Sequence, residues 1–175
     1  VALLSHSGSR GLGAAIAKHY SLLARDLCRL PREAQHFAWL GLDTEEGQEY
    51  WLSMNLAGDY ARACHERIHL NLSKALGLKP LANVNNHHNF AWKEEIAPGQ
   101  TAIVHRKGAT PAQKGQPGLI PGSMATSGYL VCGKGISEAL CSASHGTGRA
   151  MSRQKAKDNF TRSALRKYLS QAGVT

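Results

Sequence analysis

The sequence predicts a mixed α/β fold, with β-sheet elements at the centre and helices on the flanks. The first half of the chain carries apolar residues at helical spacing, whereas the second half carries short apolar runs separated by glycine and proline turns. With 175 residues, of which 42% are hydrophobic, the chain is long enough to bury the core of one domain. We therefore expect a single domain over residues 1–175, without internal repeats.

The opening of the chain predicts a strand, a glycine loop and a helix. Residues 1–5 are typical of the end of a buried strand, and the loop HSGSRGLG follows them. Residues 14–30 have helical periodicity, and Pro31 follows the end of this pattern. The apolar face of this helix is expected to contain Ile16, Tyr20, Leu23 and Leu27.

A long second helix is predicted over residues 43–77, with a break near Gly58. Asp43 can cap its first turn, with Glu46 reaching back as in a capping box. Gly77 suits the C-terminal end, because glycine readily adopts the left-handed conformation found there.

Short strands and turns are predicted for the second half. Residues 83–95 suit either a strand edge or a helix start, and residues 101–109 suit a strand that runs into a glycine turn. Residues 118–133 predict a strand, a bend at Pro121–Gly122 and a second strand. From Ser152 onward, the pattern indicates an amphipathic basic helix.

The chain is strongly basic, with a formal net charge of +9. Between Arg149 and Thr175 there are seven Lys or Arg residues against one acid, Asp158. A basic face of this kind suits phosphate groups, above all those of nucleic acid, although a solvated helix face is the alternative.

The bulk sequence also bears on the compartment. No apolar run is long enough to cross a bilayer, and no secretory signal opens the chain. The four cysteines form no CxxC pair, so free buried thiols are expected rather than disulfides. These features favour a cytoplasmic protein with no membrane partner.

The glycines of HSGSRGLG allow a close approach of backbone to a ligand, and the helix after them presents unpaired N–H groups to an anion. The glycine spacing matches neither a Walker A loop nor a dinucleotide fingerprint. His6 could be a metal ligand and Arg10 a phosphate contact, whereas a tight structural turn is the alternative explanation of the glycines.

Two further motifs place histidine and basic residues at strand ends. In NNHHN, the adjacent His87 and His88 must point in different directions, so one can face a borderline metal such as Mn, Zn, Fe or Ni while the other does not. A hydrogen-bonded or surface pair is the alternative. In VHRKGA, Arg106 and Lys107 precede a glycine turn and suit phosphates, or else they mark an exposed strand end.

The segment SASHGTGRAMSR sets one histidine, His145, among small residues and follows it with arginines. Imidazole can act as a base, a ligand or a nucleophile. The glycines would allow a triphosphate to approach the ring, and Arg149 could stabilise charge on a transferring phosphoryl group. The loop LIPGSMATSGY adds backbone and hydroxyl groups that can bind a base or a phosphate.

Taken in order, the motifs HSGSRG, HHN, HRKGAT, LIPGSM and SHGTGRAMSR resemble those of the RtcB family of RNA-splicing ligases. The resemblance extends from Ser5 to Arg153, with a looser helical region over residues 14–82, and NHHNFAW is most similar to the bacterial subgroup found beside release factor H. It implies an RtcB-like fold around a central pocket, of which this chain would be a carboxy-terminal portion, truncated at both ends.

The resemblance also implies an activity. Members of the family join RNA ends with a 3′-phosphate or a 2′,3′-cyclic phosphate to a 5′-hydroxyl, using GTP and two manganese ions, in tRNA splicing or RNA repair. The implied partners are broken tRNA or rRNA ends, GTP and an activating or release-factor-like protein. Because the family's other metal ligands and its final lysine are absent, we expect the isolated chain to be inactive.

Site residues follow from the matching motifs. His145 is expected to be the guanylated nucleophile, Lys107 a basic residue near the reacting phosphates, and His6 and His88 manganese ligands. The residues expected to contact guanylate are Asn89, Pro121, Gly122, Ser123, Met124, Gly128, Gly146, Thr147 and Gly148. Those expected to hold RNA or nucleotide phosphates are Arg10, Arg106, Arg149 and Arg153.

Some positions depart from the family pattern. Gly128 stands where the family usually has serine, which puts the guanine contact in doubt and favours an alternative, a non-catalytic RNA-binding member. Thr147 replaces a small residue of the HGAGR pattern. The presence of all four residues His6, His88, Lys107 and His145 favours the enzyme, and a metal-dependent phosphohydrolase is the third hypothesis.

Overall fold

In the computed structural model, the described part of the chain comprises residues 2–146, 148 and 150–174, with Arg153 described by its backbone alone. It is a mixture of helices and small antiparallel sheets, as predicted. The chain divides into two compact units, residues 1–81 and residues 82–175, and the single domain over residues 1–175 stays a prediction. Each unit is described by itself below.

The first unit consists of helices. Helix α1 spans Leu12–Leu27, a short 3₁₀ helix spans Arg32–Phe37, and helix α2 spans Glu45–Ala75. Residues 2–8 are extended but pair with no described strand, so the strand predicted there is wrong. The small buried side chains of Ala24, Ala57 and Ala61 let α1 and α2 pack closely.

Helix α2 is continuous through Gly58, so the predicted break does not occur. Its N-cap is Thr44, one residue after the predicted Asp43, and the Gly47 amide donates to Thr44 Oγ1 at 3.1 Å. At the other end, Gly77 adopts φ +63°, as predicted for a helix terminus. The amide of Leu78 donates to the Ser73 carbonyl at 2.8 Å, which completes a Schellman motif.

The second unit is built from three two-stranded antiparallel sheets. Its strands are β1 (Asn89–Ala97), β2 (Gln100–Lys107), β3 (Ala109–Pro111), β4 (Pro117–Ile120), β5 (Tyr129–Cys132) and β6 (Ser142–Ser144). Strand β1 pairs with β2, β3 with β6, and β4 with β5. The strands predicted in TAIVHRKGA and GLIPGSMATSGYLVCG are therefore present, and of the two alternatives for residues 83–95 the strand is the one observed, in β1.

The basic tail forms two helices instead of one. Helix α3 spans Arg153–Asn159 and helix α4 spans Arg162–Gln171. Each begins with a hydroxyl cap, because Ser152 accepts from the Lys155 amide at 3.1 Å and Thr161 accepts from the Ala164 amide at 3.2 Å. The cap at Thr161 starts a new helix, whereas the charge pattern alone predicted one continuous helix.

Thr44 offers a test of the α2 cap. We expect Thr44→Ala to lower the free energy of unfolding by about 1 kcal/mol, because it removes the acceptor for an otherwise unpaired helix N–H. Urea unfolding, followed by circular dichroism, measures the change. Thr44→Ser keeps the hydroxyl and should stay near the wild-type value, and equal stability of the alanine variant would contradict the role assigned to the cap.

Candidate functional site

The open end of the β1–β2 hairpin brings three predicted site residues together. Asn89 is directly opposite Lys107 in the antiparallel register, and His88 immediately precedes Asn89. The Gly108 amide donates to the His88 carbonyl at 2.9 Å, which extends the pairing by one step beyond the strands. Lys107 and Asn89 are exposed at this end, whereas His88 is half-buried.

His145 joins this group through the pairing of β3 with β6. Ala109 is opposite Ser144, so the residue after β6 reaches the glycine before β3. The imidazole of His145 stacks on that of His88, with ring centroids 4.9 Å apart and an interplanar angle of 14°. His88 and His145, which are far apart in the chain, are therefore in ring contact.

The carbonyl oxygen of Gly108 accepts two hydrogen bonds from His145. The backbone amide donates at 3.2 Å, and the ring nitrogen Nδ1 lies 2.7 Å from the same oxygen. A carbonyl oxygen can only accept, so this bond requires the proton to be on Nδ1. In the neutral ring, Nε2 is then left with a lone pair, which is the form required of a nucleophile or a metal ligand.

A second loop approaches the histidine turn at Gly146. A Cβ atom at this position would lie 2.7 Å from the carbonyl oxygen of Pro121, and the backbone has φ +147°. Only glycine allows this approach, which brings the predicted guanylate loop beside His145. Gly122 is similarly enclosed, since a Cβ there would collide with the carbonyl oxygen of Ser127.

The rest of the predicted guanylate loop is a compact turn. Thr126 Oγ1 accepts from the Ser123 amide at 2.6 Å, and the Ser123 carbonyl accepts from the Thr126 amide at 3.2 Å. Met124 remains 68% exposed at the tip. A Cβ at Gly128 would be in ordinary contact with the Ile120 carbonyl oxygen at 3.4 Å.

Arg106 is placed differently from the phosphate-facing role that the sequence suggested. Its side chain is only 1% exposed, and its guanidinium makes a bidentate pair with Glu94 at 2.7 and 2.8 Å. Its Nε donates to Ser142 Oγ at 2.8 Å, and Nη2 also donates to the Leu140 carbonyl at 2.8 Å. These internal contacts occupy the guanidinium, which argues against a phosphate contact by Arg106.

In the first unit, helix α2 makes hydrogen bonds to both sequence neighbours of His6. The Ser7 amide donates to His65 Nε2 at 3.0 Å, and the Ser5 hydroxyl lies 2.8 Å from His69 Nε2. His65 and His69 are one helical turn apart and face the same segment. Because Ser5 and Ser7 are on one side of the extended chain, His6 is on the other, and it is exposed.

Two features of this segment concern proton and ligand binding. Burial lowers the pKa of His65, and the nearby charges of His69 and His6 lower the pKa further. A neutral His65 is the form that can accept the Ser7 amide. The hydroxyl oxygen of Ser7 is buried without a hydrogen-bond partner among the described residues, so it could accept a ligand or a bound water.

The remaining predicted contacts are only partly described. Arg10 is exposed and has φ +54° at the turn that precedes α1. Thr147 and Arg149 lie outside the described residues, as does the side chain of Arg153. His6 belongs to the first unit and His88 to the second, so their predicted sharing of a metal cluster stays a prediction.

Comparison with known proteins identifies the family. The family model described as tRNA-splicing ligase RtcB matches residues 1–175. The chain belongs to the RtcB family. It is 35% identical over 173 residues to an RNA-splicing ligase RtcB of Escherichia coli, which covers 91% of this chain and 42% of that protein.

Archaeal and eukaryotic relatives agree. The tRNA-splicing ligase RtcB of Methanococcus maripaludis is 31% identical over 206 residues, covering 99% of this chain and 42% of that protein. The RNA-splicing ligase RtcB homolog 1 of Entamoeba dispar is 32% identical over 207 residues, covering 99% and 38%. The chain therefore spans about two fifths of the length of these RtcB relatives.

Several contributors to this RtcB site were not identified from the sequence. Gly108 was predicted only as a turn, although its carbonyl orients His145. His65 and His69 were read as part of a helix, and their spacing of four residues was the available signal. Glu94 carried no signal beyond its position in a strand.

The two glycines of the histidine turn should differ in their tolerance of a side chain. Gly146→Ala would force Pro121 away from the turn, whereas no described atom lies within 4 Å of a Cβ at Gly148. We expect Gly146→Ala to lower the free energy of unfolding and Gly148→Ala to have a smaller effect. Urea unfolding followed by circular dichroism measures both, and equal stabilities would contradict the close approach of the two loops.

Proposed function

We propose that this protein takes part in a GTP- and manganese-dependent RNA ligation, in which RNA 3′-phosphate or 2′,3′-cyclic phosphate ends are joined to 5′-hydroxyl ends through a guanylated His145. The observation that carries this proposal is the bond between His145 Nδ1 and the Gly108 carbonyl at 2.7 Å. It leaves the lone pair of the neutral ring on Nε2, where it can act as a nucleophile. Broken tRNA or rRNA ends are the substrates that the proposal names.

His145 would act in two transfers. Its Nε2 attacks the α-phosphorus of GTP, a phosphorus–nitrogen bond forms, and pyrophosphate leaves with the electrons of the broken bond. An oxygen of the RNA 3′-phosphate then attacks the same phosphorus, and His145 leaves with the pair of the phosphorus–nitrogen bond. The RNA phosphate is now activated, and attack by the 5′-hydroxyl releases GMP.

Charge builds up on phosphate oxygens in these steps, and Lys107 is suited to offset it. It is exposed at the open end of the hairpin, opposite Asn89 in the register and next to the glycine that binds His145. Arg149 would serve the same purpose from the segment after His145. A positive side chain fixed beside a transferring phosphoryl group acts mainly on the transition state.

Guanylate would be received by the two loops that meet at Gly146. The Pro121–Met124 segment and Gly128 border the approach, and Thr147 and Gly148 follow the nucleophile. Asn89 can bind through its amide from the end of β1. The compact turn made by Ser123 and Thr126 gives this loop a defined shape before any nucleotide binds.

The side chains proposed as metal ligands are of a type that binds manganese. Imidazole is a suitable ligand for this class of metal, and the proposed ligand His88 is in ring contact with the proposed nucleophile. His6 adds an exposed imidazole beside the unpaired Ser7 hydroxyl. Within the described residues no group of three metal-binding side chains occurs, so further ligands would be needed to hold two ions. When bound, the metal would supply charge stabilisation to both transfers.

The described part of the chain contains no helix with both the length and the apolar character needed to traverse a bilayer. We propose a cytoplasmic setting, in which RNA ends and GTP are available. An activating or release-factor-like protein is a further proposed partner. This rests on the similarity of NHHNFAW to one bacterial subgroup.

Replacement of His145 tests the proposed chemistry. With the complete protein, manganese and GTP labelled at the α-phosphate, the wild type should take up label that is acid-labile and base-stable. His145→Ala should take up none, because no other group would offer the oriented nitrogen. His105→Ala changes an exposed histidine of β2, and this matched control should be labelled normally.

Other outcomes separate the competing hypotheses. Uptake by His145→Ala to the wild-type extent would place the nucleophile elsewhere. Hydrolysis of an RNA phosphate without labelling would indicate a phosphohydrolase, and RNA binding without either reaction would indicate a non-catalytic member. Removal of manganese with EDTA should abolish labelling and leave folding unchanged.

The tail offers a separate test of RNA contact. Arg162 and Arg166 are exposed and one turn apart on α4, so both can meet a phosphate backbone. Their joint replacement by alanine should reduce the slope of log affinity against log salt by about 0.7 per lost contact with single-stranded RNA. Fluorescence anisotropy with an RNA carrying a 3′-phosphate measures the slope. Ser163→Ala with Ser170→Ala is the uncharged control, and an unchanged slope in the arginine variant would show a solvated face.

A further inference from the structure

We propose that the ion pair between Glu94 and the buried Arg106 is a positioning device for His145. The inference deepens the proposed function, because it concerns the residue assigned there as nucleophile. Neither Glu94 nor Arg106 touches the reacting atoms in this assignment. Both act through the backbone that carries Gly108 and His145.

Arg106 connects the two strands that deliver the site. It is on β2, two residues before Gly108, whose carbonyl accepts from the ring of His145. Across the unit its guanidinium donates to the Leu140 carbonyl and to the hydroxyl of Ser142, the first residue of β6. The Arg106 side chain therefore fixes the spacing between Gly108, whose carbonyl accepts the hydrogen bond, and strand β6, which directly precedes the donor His145.

The segment that Arg106 contacts on the β6 side has an uncommon backbone. Leu140 has φ +48° and Cys141 has φ +46°, and neither is glycine. Two consecutive residues in the left-handed region need outside support to persist. The Leu140 carbonyl receives that support twice, from Arg106 at 2.8 Å and from the Ser142 hydroxyl at 2.9 Å.

Glu94 makes this arrangement possible. A guanidinium that is 1% exposed needs a paired charge, and Glu94 supplies both carboxylate oxygens in a bidentate geometry. The ring of Trp92 lies 5.0 Å from the Arg106 guanidinium carbon and supports the same orientation. Without Glu94, the arginine would turn toward water and release Leu140 and Ser142.

Positioning differs from simple stabilisation in what it predicts. A merely stabilising ion pair would change the free energy of unfolding and leave the remaining folded molecules fully active. A positioning pair would change the orientation of His145 within molecules that are still folded. The state of the His145 ring reports this directly, because the bond to Gly108 requires the proton on Nδ1.

The experiment compares Glu94→Gln with Glu95→Gln in the complete protein. Glu95 is the adjacent, exposed residue of β1, and its bond to the Gly99 amide can be made by glutamine. We expect Glu94→Gln to lower kcat for guanylation by about 100-fold through misplacement of the nucleophile, with KM for GTP nearly unchanged. The control should keep the wild-type kcat.

Nitrogen-15 spectra of histidine-labelled protein provide the readout that is independent of activity. The wild-type signal of His145, assigned by its loss in His145→Ala, should show a protonated Nδ1 and a bare Nε2. Glu94→Gln should show exchange between the two ring forms. A wild-type spectrum together with unchanged kcat would overturn the proposal.

Urea titration shows whether Glu94→Gln is folded. If it is not, Ser142→Ala provides the test of the inference. It removes one bond from Arg106 and one to Leu140 while leaving the ion pair intact. A smaller loss, about 10-fold in kcat, is expected. If wild-type protein is not guanylated at all, the proposed function fails, whereas the ring spectra still decide whether the ion pair orients His145.

Discussion

The site depends on one carbonyl oxygen, that of Gly108. It accepts hydrogen bonds from both the amide and the ring Nδ1 of His145, so a single backbone group orients the imidazole and places a proton on Nδ1. Gly108 can present its oxygen in this way because it turns at φ +72° between β2 and β3. The amide of the same residue donates to the backbone carbonyl of His88, so Gly108 makes hydrogen bonds to both histidines, to the backbone of His88 and to the ring and amide of His145.

Holding that geometry has a conformational cost elsewhere in the unit. The left-handed conformations of Leu140 and Cys141 are each unfavourable by roughly 1–2 kcal/mol for residues with a side chain. Hydrogen bonds to charged groups contribute about 1.5–3 kcal/mol, so the bond from Arg106 to the Leu140 carbonyl can offset much of this cost. A buried arginine at a strand end is therefore better understood as support for the adjacent turn than as a ligand for phosphate.

The sequence predicted elements well where the signal was local. The strand around RKG and the terminus at Gly77 were predictable, because periodicity and glycine chemistry are set by neighbouring residues, whereas the segment around HHN suited either a strand edge or a helix start. The break at Gly58 was wrong because the buried Ala57 and Ala61 pack on α1 and outweigh the weak helix propensity of one glycine, about 1 kcal/mol.

Errors in the site arose from partners that are distant in the chain. Nothing within the motif HRKGAT distinguishes the exposed Lys107 from the buried Arg106, because the distinction is made by Glu94, Leu140 and Ser142. The pairing of His65 with the Ser7 amide was likewise hidden, since 58 residues separate them. Resemblance to a family located the chemical groups, whereas only the fold shows which groups orient others.

The first unit applies the same principle to His6. The Ser7 amide and the Ser5 hydroxyl, on either side of His6 in the sequence, are bound to His65 and His69. These two histidines are one turn apart on a 31-residue helix, so the helix determines the direction of the short segment that carries His6. Burial favours the neutral form of His65, which is the form able to accept the amide. In each unit, taken by itself, a proposed functional imidazole is therefore positioned by groups to which the proposal assigns no part in the chemistry.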